Sequence, residues 1–587
     1  MAMGEDSRID HSRGRAPIIL CVALAGITLA VFAQTFAFKF LNFDDDLYIS
    51  GNPQLALGLS AKGFAWAFTA NLFKADTHAE YWAPLTLVSR LADVQFNGLN
   101  PGAHHRTNVL LHLMAGLVLF GALRALLHSD ISSGLIAALF LIHPLHVEPV
   151  AWLSARKDIL NGLFFFGTIW SYAHYSARPS RSRYALVCFI FLCANMAKPM
   201  AVSLPFVLLL LDFWPLGRLR SPFFNRTALR LVIEKVPLFL IAGLIAILAV
   251  QDQERLGAIG DQVLYPLSVR LGNAAVAYCA YLVQTFVPTN LAILYPHPGT
   301  DLNWSLVAVS AVCLLLITAL CLLNAKRRPW LLVGWFWFII VLLPVSGIVQ
   351  IGEMARADRY TYVSLVGIFL LCVQQFSEWH AHPIFRRARW RKASVAAFIC
   401  LMLGALAVVS WKQTRTWYDS ISAWEHALRV TSNNYIAEAN LGSAYFDAGR
   451  KTEGLAHYHE AIRLHAPALE YHRQTAMEAE RRNELPLAIH HYAKVLTLVP
   501  WNTEVHQRLG SVLLRNGDYA KALVQFNEAL RYDRNAVPPR LGVARVLIAQ
   551  HRFAEARNLL HAILRLDAEN EEAKALLQTV PSEPPSN

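Results

Sequence analysis

Apolar runs of membrane-spanning length, separated by short charged breaks, fill the chain up to residue 411. The first covers 17–38, matching the ~20 residues a helix needs to cross hydrocarbon and exceeding a signal-peptide core. After a loop reaching residue 106 come runs near 107–127, 131–147 and 158–176. A hairpin of two short pieces follows, 184–197 and 200–214, broken at Lys198-Pro199. Further runs lie near 236–251, 304–323, 330–350, 359–377 and 394–411. The pattern predicts an all-α bundle of about eleven crossings. One stretch is left out of that number. Residues 261–303 carry Arg270, Asn273, Tyr278 and Gln284, and read as an amphipathic external segment broken by proline.

Past residue 412 the pattern changes to amphipathic helices with a period of 34. One register gives Leu441-Gly442, Gly449, Tyr458 and Ala461, then Ala476, Ala488, Tyr492 and Pro500. The next gives Leu509-Gly510, Gly517, Ala522, Phe526 and Ala529, and a fourth Ala544, Ala556 and Leu560. Small residues at positions 8 and 20 let paired helices approach, and the aromatic at 24 fills the space between repeats. This resembles the tetratricopeptide repeat in four units, with a lead-in half-unit at 417–432 and a closing helix at 571–578. The expected organisation is a cytoplasmic tail 1–16, a transmembrane domain 17–412 with a large external loop 39–106, an α-solenoid 413–579 and a disordered tail 580–587.

Composition agrees with this division. With 55% hydrophobic and 16% charged residues, the chain is too apolar for a soluble protein. Its net charge of +12 does not mark a nucleic-acid binder, because the cations gather in short loops between apolar runs. Those loops hold Arg178, Arg181 and Arg183; Arg218, Arg220, Arg226, Arg230 and Lys235; Lys326, Arg327 and Arg328; and Arg386, Arg387, Arg389, Arg391 and Lys392. All fall on the side of the amino terminus if 261–303 does not cross, which puts the repeats outside the cytoplasm, in the periplasm. The eight cysteines all lie in apolar runs without a CxxC pair, so neither a disulfide scaffold nor a zinc site is indicated.

The candidate chemistry lies on the opposite face. Asp44, Asp45 and Asp46 follow the first run at the depth where hydrocarbon gives way to headgroups, a costly place for charge. Taken alone they read equally as a solvated loop start with a helix-capping aspartate. The same face receives Tyr81, Trp82, Arg90, His104 and His105, then His143, His146, Glu148, Arg156, Lys157 and Asp158. It also receives Lys198, Arg356, Asp358 and Arg359. Carboxylates beside guanidinium, ammonium and imidazole groups suit a lipid-linked phosphate donor, the cations holding phosphate and a carboxylate taking a proton. Each signal has a plainer alternative: headgroup contact for any single Arg or His, snorkelling for Lys198, the interfacial belt for Tyr81 and Trp82. His143, His146 and Glu148 are three side chains able to ligate a metal, but HxxH beside proline is not a standard ligand frame.

The phrases FDDD...NP, YWAPLT, GLNPGAHHRTN..LH, HPLHVEPVAWLSARKDIL, AKP...LPFVLLLLDFWPL and ADRYTYV resemble those of bacterial polytopic tetratricopeptide-repeat proteins. These in turn resemble the eukaryotic transmembrane-and-tetratricopeptide-repeat O-mannosyltransferases. The resemblance runs in order from about residue 17 to 578. It implies a C-type membrane glycosyltransferase fold, an acidic motif in the first external loop, and a polyprenyl-phosphate sugar as donor. The family's paired acids map onto Asp44 and Asp45 ahead of Asn52; Asp46 is additional, and Ala83 stands where relatives carry Arg or Gln.

The expected mechanism has Asp44 or Asp45 deprotonating a Ser or Thr hydroxyl of an exported polypeptide. That hydroxyl displaces the lipid phosphate from a mannose-like sugar with inversion. Arg356 or Arg359, with Arg156, Lys157 or Lys198, steadies the departing phosphate. Asp46, His104, His105, His143, His146, Glu148, Asp158 and Asp358 are supporting polar groups. A monophosphate leaving group needs no cofactor, and a divalent metal is not favoured. The repeats would hold the acceptor near the site, in the inner membrane. Two other readings stand beside this one: a non-catalytic membrane scaffold for envelope or export assemblies, for which so many crossings are superfluous, and a transferase acting on a lipid or glycan.

Overall fold

The computed structural model describes residues 12–71, 81–219, 226–255, 265–381 and 389–581. The ends of both expected tails lie outside these residues, as do Arg220, Arg386 and Arg387. The chain divides into two compact units, Met1–Ser432 and Asn433–Asn587. The lead-in helix before the repeats therefore goes with the first unit.

The first unit is helical, as its apolar pattern predicts. Its helices are α1 (Ser12–Phe32), α2 (Ala61–Thr69), α3 (Pro84–Asn97), α4 (Pro101–Leu127), α5 (Asp130–Ile142) and α6 (Val147–Ala151). There follow α7 (Arg156–Ala177), α8 (Arg181–Ala197), α9 (Leu204–Phe213), α10 (Arg226–Arg255) and α11 (Leu267–Phe286). The unit closes with α12 (Trp304–Asn324), α13 (Pro329–Leu342), α14 (Thr361–Ala381), α15 (Arg389–Arg415) and α16 (Ser420–Val430). The sole sheet among the described residues is an antiparallel ladder of β1 (Tyr295–Pro296) and β2 (Met354–Arg356).

Six described helical segments are long and apolar enough to cross a membrane: Ala16–Ala37, Pro101–Leu127, Arg226–Gln253, Trp304–Asn324, Asp358–His380 and Ala393–Arg415. The pair Asp130–Ile142 and Pro144–Ala151, bent by 58°, would make a seventh. The eleven predicted crossings are therefore not all of spanning length. The ten residues of α9 rise only ~15 Å, half of a hydrocarbon core, and the 14 residues of α13 only ~21 Å. Within the 261–303 stretch, α11 runs for 20 residues between Pro266 and Pro288, and the chain beyond it is irregular. The polar side chains of α11 turn toward protein. Arg270 Nη1 donates to the Ile348 carbonyl (2.7 Å) and Asn273 Nδ2 to that of Ala355 (2.9 Å).

Packing is closest where side chains are smallest. A Cβ on Gly334 of α13 would lie 2.4 Å from the Gly367 carbonyl oxygen of α14, and the reverse contact is also 2.4 Å. Such pairs let helices approach where apolar burial gives no advantage over lipid. Together α4, α7 and α8 form the wall that carries the loops described below.

The second unit is the expected solenoid. Its helices are α17 (Tyr435–Asp447), α18 (Lys451–Arg481), α19 (Leu485–Leu498), α20 (Thr503–Arg515), α21 (Tyr519–Tyr532), α22 (Val537–Ala549), α23 (Phe553–Leu566) and α24 (Glu571–Thr579). Position 24 does what the period requires. Phe526 fills the gap between Gly510 and Gly542, whose added Cβ atoms would meet its ring at 2.7 and 2.4 Å. The first two repeats run together through α18, which is interrupted by non-helical geometry at His465 (φ −123°, ψ 17°).

Candidate functional site

The acidic triplet follows the first apolar helix on a loop that is fastened from two sides. After α1 a short 3-10 turn, Ala33–Ala37, ends the span, and Asn52 caps the turn Pro53–Leu57 by accepting from Gln54 N at 3.0 Å. Between them the loop docks on the segment that links α6 to α7. Phe43 stacks on Trp152 (4.9 Å, 19°) and its carbonyl accepts from Trp152 Nε1 at 2.9 Å. On the other side Asn42 accepts from Trp424 Nε1 of α16 at 2.8 Å and donates through its backbone to Ser420 Oγ at 2.9 Å.

This fastening separates the three aspartates. Asp45 is buried, and its carboxylate accepts from Leu41 N (3.1 Å), Ser154 N (2.9 Å) and Ser154 Oγ (2.7 Å). Burial pushes its pKa up to about 7 against those hydrogen bonds and the nearby Arg90 guanidinium. Asp46 is exposed and accepts from Leu47 N at 2.9 Å. Asp44, half-buried, precedes both with φ at +67°, the left-handed region that Asp and Asn enter more readily than other side chains. Its pKa is raised by burial, against the pull of Lys157, Arg359 and Arg90, with Asp46 adding to the rise. Asp44 is thus the acid that faces the cations.

Those cations come from separate loops. Lys157 opens α7, its ammonium 5.6 Å from the Tyr81 ring and 5.9 Å from that of Trp152. Lys198 follows α8 and donates to Asp158 Oδ1 at 2.5 Å, over the Tyr360 ring at 5.6 Å. Asn161 pins that corner by donating to the Lys198 carbonyl at 2.8 Å. Arg359 precedes α14; its backbone N–H donates to Glu148 Oε2 at 2.8 Å and its Nη1 pairs with Glu148 Oε1. Its guanidinium lies 5.1 Å from the Trp152 ring and 5.0 Å from that of Tyr360. Burying so many charges is tolerable because each is answered by a counter-charge or an aromatic face.

Other predicted residues lie elsewhere. Arg156 is a staple rather than a phosphate ligand. Its guanidinium binds Asp93 (2.5 Å), Asn108 Oδ1 (2.7 Å), the His104 carbonyl (3.1 Å) and Ser89, which leaves it little to offer a substrate. Arg356 stacks on Tyr295 at 3.8 Å across the ladder, and Asp358 accepts from the Tyr295 hydroxyl at 2.9 Å. The four histidines serve packing. His104 meets the Gly98 carbonyl (3.0 Å), His143 that of Thr285 (2.9 Å) and His146 that of Phe140 (2.7 Å). His105 packs edge-on against Phe38. Among the described residues no three His, Cys, Asp or Glu side chains converge as a metal ligand set.

Sequence reasoning passed over Trp152 and Ser154, although both lie in a loop it singled out, and it gave Arg90, named among the charges of that face, no role in the site. Arg90 is buried, donates to the Ser154 carbonyl at 3.2 Å and lies 5.9 Å from the Tyr48 ring. The signal was a guanidinium on the amphipathic helix α3.

Fold and site define a polytopic membrane protein with a buried carboxylate–cation cluster, followed by tetratricopeptide repeats. A family model described as tetratricopeptide repeat matches residues 513–580. Over most of its length the chain is similar to human proteins named protein O-mannosyl-transferase. It is 22% identical to TMTC1 over 510 residues, covering 78% of this chain and 56% of that one. For TMTC3 the identity is 20% over 513 residues, covering 81% and 55%. For TMTC4 it is 23% over 514 residues, covering 77% and 68%. The resemblance read from the motifs therefore holds, while the chain spans little more than half the length of TMTC1 and TMTC3. Among solved structures, the P58(IPK) TPR domain aligns with a TM-score of 0.19 at 11% identity, over 70% of this chain and 97% of that one.

Proposed function

We propose that the chain is a membrane glycosyltransferase that moves a mannose-like sugar from a polyprenyl-phosphate donor to Ser or Thr hydroxyls of exported polypeptides. The observation that carries this reading is a half-buried Asp44 within the field of Lys157 and Arg359, with Lys198 acting on Lys157 in turn. The acceptor oxygen attacks the anomeric carbon while its proton passes to the Asp44 carboxylate. The bond from that carbon to the phosphate oxygen breaks, and its electron pair stays on the phosphate. Arg359, Lys157 and Lys198 hold the charge that develops there. The displacement is single, so the configuration inverts. Asp45 acts as a positioning residue: its hydrogen bonds to Leu41 and Ser154 fix the loop that presents Asp44. The repeats bring the acceptor polypeptide.

The test is transfer of label from a polyprenyl-phosphate mannose to acceptor peptides in proteoliposomes containing the purified full chain. Transfer that disappears in Asp44→Asn supports the reading. Undiminished transfer in that variant removes the aspartate from the chemistry, and the absence of transfer by the unaltered chain rejects the enzyme.

A further inference from the structure

Two polar atoms at the rim of the cation cluster have no hydrogen-bond partner among the described residues. The Tyr81 hydroxyl and Asp158 Oδ2 are both buried, and neither makes a hydrogen bond, although Asp158 Oδ1 is held by Lys198 at 2.5 Å. Buried polar atoms are almost always satisfied, so a pair of exceptions in one place calls for a ligand. They do share one place. The Tyr81 ring lies under the Lys157 ammonium at 5.6 Å, and Lys157 in turn lies within the field of Lys198 and of the Asp158 carboxylate that Lys198 holds. Asp158 is the foremost charge acting on the Tyr81 hydroxyl, with Arg90, Arg359 and Tyr360 behind it.

The two atoms ask for different things. A phenol offers one proton, and a carboxylate oxygen offers only lone pairs. A phosphate oxygen would be repelled by Asp158, and a second cation would find Lys157 and Lys198 already beside it. A neutral group that both donates and accepts suits both atoms, and a sugar ring carries several side by side. We propose that Tyr81 and Asp158 hold hydroxyls of the transferred hexose and so select which sugar is moved. One hydroxyl accepts from Tyr81, and it or its neighbour donates to Asp158 Oδ2. This rests on the transferase reading but adds a division of labour: Lys157, Lys198 and Arg359 read the phosphate, and this pair reads the sugar. It also accounts for Lys198 taking only one oxygen of Asp158.

The experiment compares binding to the full chain in proteoliposomes of polyprenyl phosphate, polyprenyl-phosphate mannose, and analogues lacking one sugar hydroxyl each. The expected result is that the unaltered chain prefers the intact sugar over at least one deoxy analogue by on the order of 100-fold, because a site built to bond a hydroxyl rejects the analogue without it. Tyr81→Phe removes one oxygen and should bring those lipids together while leaving bare polyprenyl phosphate unchanged. Asp158→Asn should do the same for a second analogue. The inference is overturned if Tyr81→Phe keeps the full preference, or if the unaltered chain does not distinguish sugar-bearing from bare phosphate. Because Asp158→Asn also loosens Lys198, an equal loss for all lipids in that variant leaves the decision to Tyr81→Phe. Failure of the transferase reading shows separately, as absence of transfer from every donor by a chain that still sorts the lipids.

Discussion

Asp158 and Asp212 are both buried aspartates answered by a lysine, Lys198 in one case and Lys235 in the other. Around Asp212 the ring is closed. Tyr172 donates to it at 2.7 Å, Arg218 approaches at 2.9 Å, and Glu234 takes the remaining donors of Arg218 (2.6 Å) and Lys235 (2.9 Å). None of these side chains has a buried atom without a partner. Around Asp158 the ring is open, with one of its oxygens and the Tyr81 hydroxyl unanswered. The same chemical groups, equally buried, do different things. The closed ring ties α7, the end of α9 and α10 together. The open one has capacity left for something from outside, which charge and burial alone would not reveal.

The sharpest way to break that contrast is Asp44→Asn. Removing the acid beside the open ring should cost transfer on the order of 10³-fold, read from labelled donor in proteoliposomes, with the thermal midpoint nearly unmoved. Asp212→Asn should do the reverse. Weakening the counter-charge of buried Lys235 should cost about 3–5 kcal/mol of stability in detergent-solubilised thermal unfolding, with donor KM unchanged. If Asp212→Asn instead raises KM, the closed ring belongs to the site.

A gentler probe is pH. Asp44 acts as a base only when ionised, and its pKa is raised, so the rate should climb with pH along an acid limb lying above the ordinary carboxylate range. That limb should fall tenfold per pH unit on its low side. Asp45 bears on stability with a defined sign. Its folded pKa, raised from 3.8 to about 7, means that the folded state holds a proton the unfolded chain has already lost. Its contribution is therefore complete below the unfolded value and is lost as pH rises through about 7. Asp45→Asn should flatten that part of a melting-temperature profile. The smallest effect belongs to the exposed i,i+3 pairs of the repeats. Arg552→Ala, which removes the partner of Glu555, should leave a melting curve unchanged.

Much of this was legible in the chain. A period of 34 with small residues at fixed positions admits few structures other than stacked helix pairs, and Phe526 between two glycines is its direct consequence. The meeting of Asp44, Lys157 and Arg359 followed from sidedness, because loop cations on one face leave the remaining charges on the other. Direction within a loop was not legible. Arg156 and Lys157 are adjacent, but successive helical positions point about 100° apart, so one faces Asp93 and the other Tyr81. The histidines misled for a related reason: an imidazole tied to a backbone carbonyl and one facing substrate look alike in a string of letters. The short hairpin was legible from the break at Lys198-Pro199, whereas the shortness of α13 was not, because the apolar run continues past residue 342 where the helix ends.

The left-handed backbone of Asp44 narrows what can stand there. A residue in that conformation is tolerated chiefly if it is glycine, asparagine or aspartate, and only the last carries a carboxyl group. Glutamate, the usual conservative exchange, would keep the charge but fit the turn poorly. Among the common side chains the loop can therefore keep its shape and its acidity together in one way only.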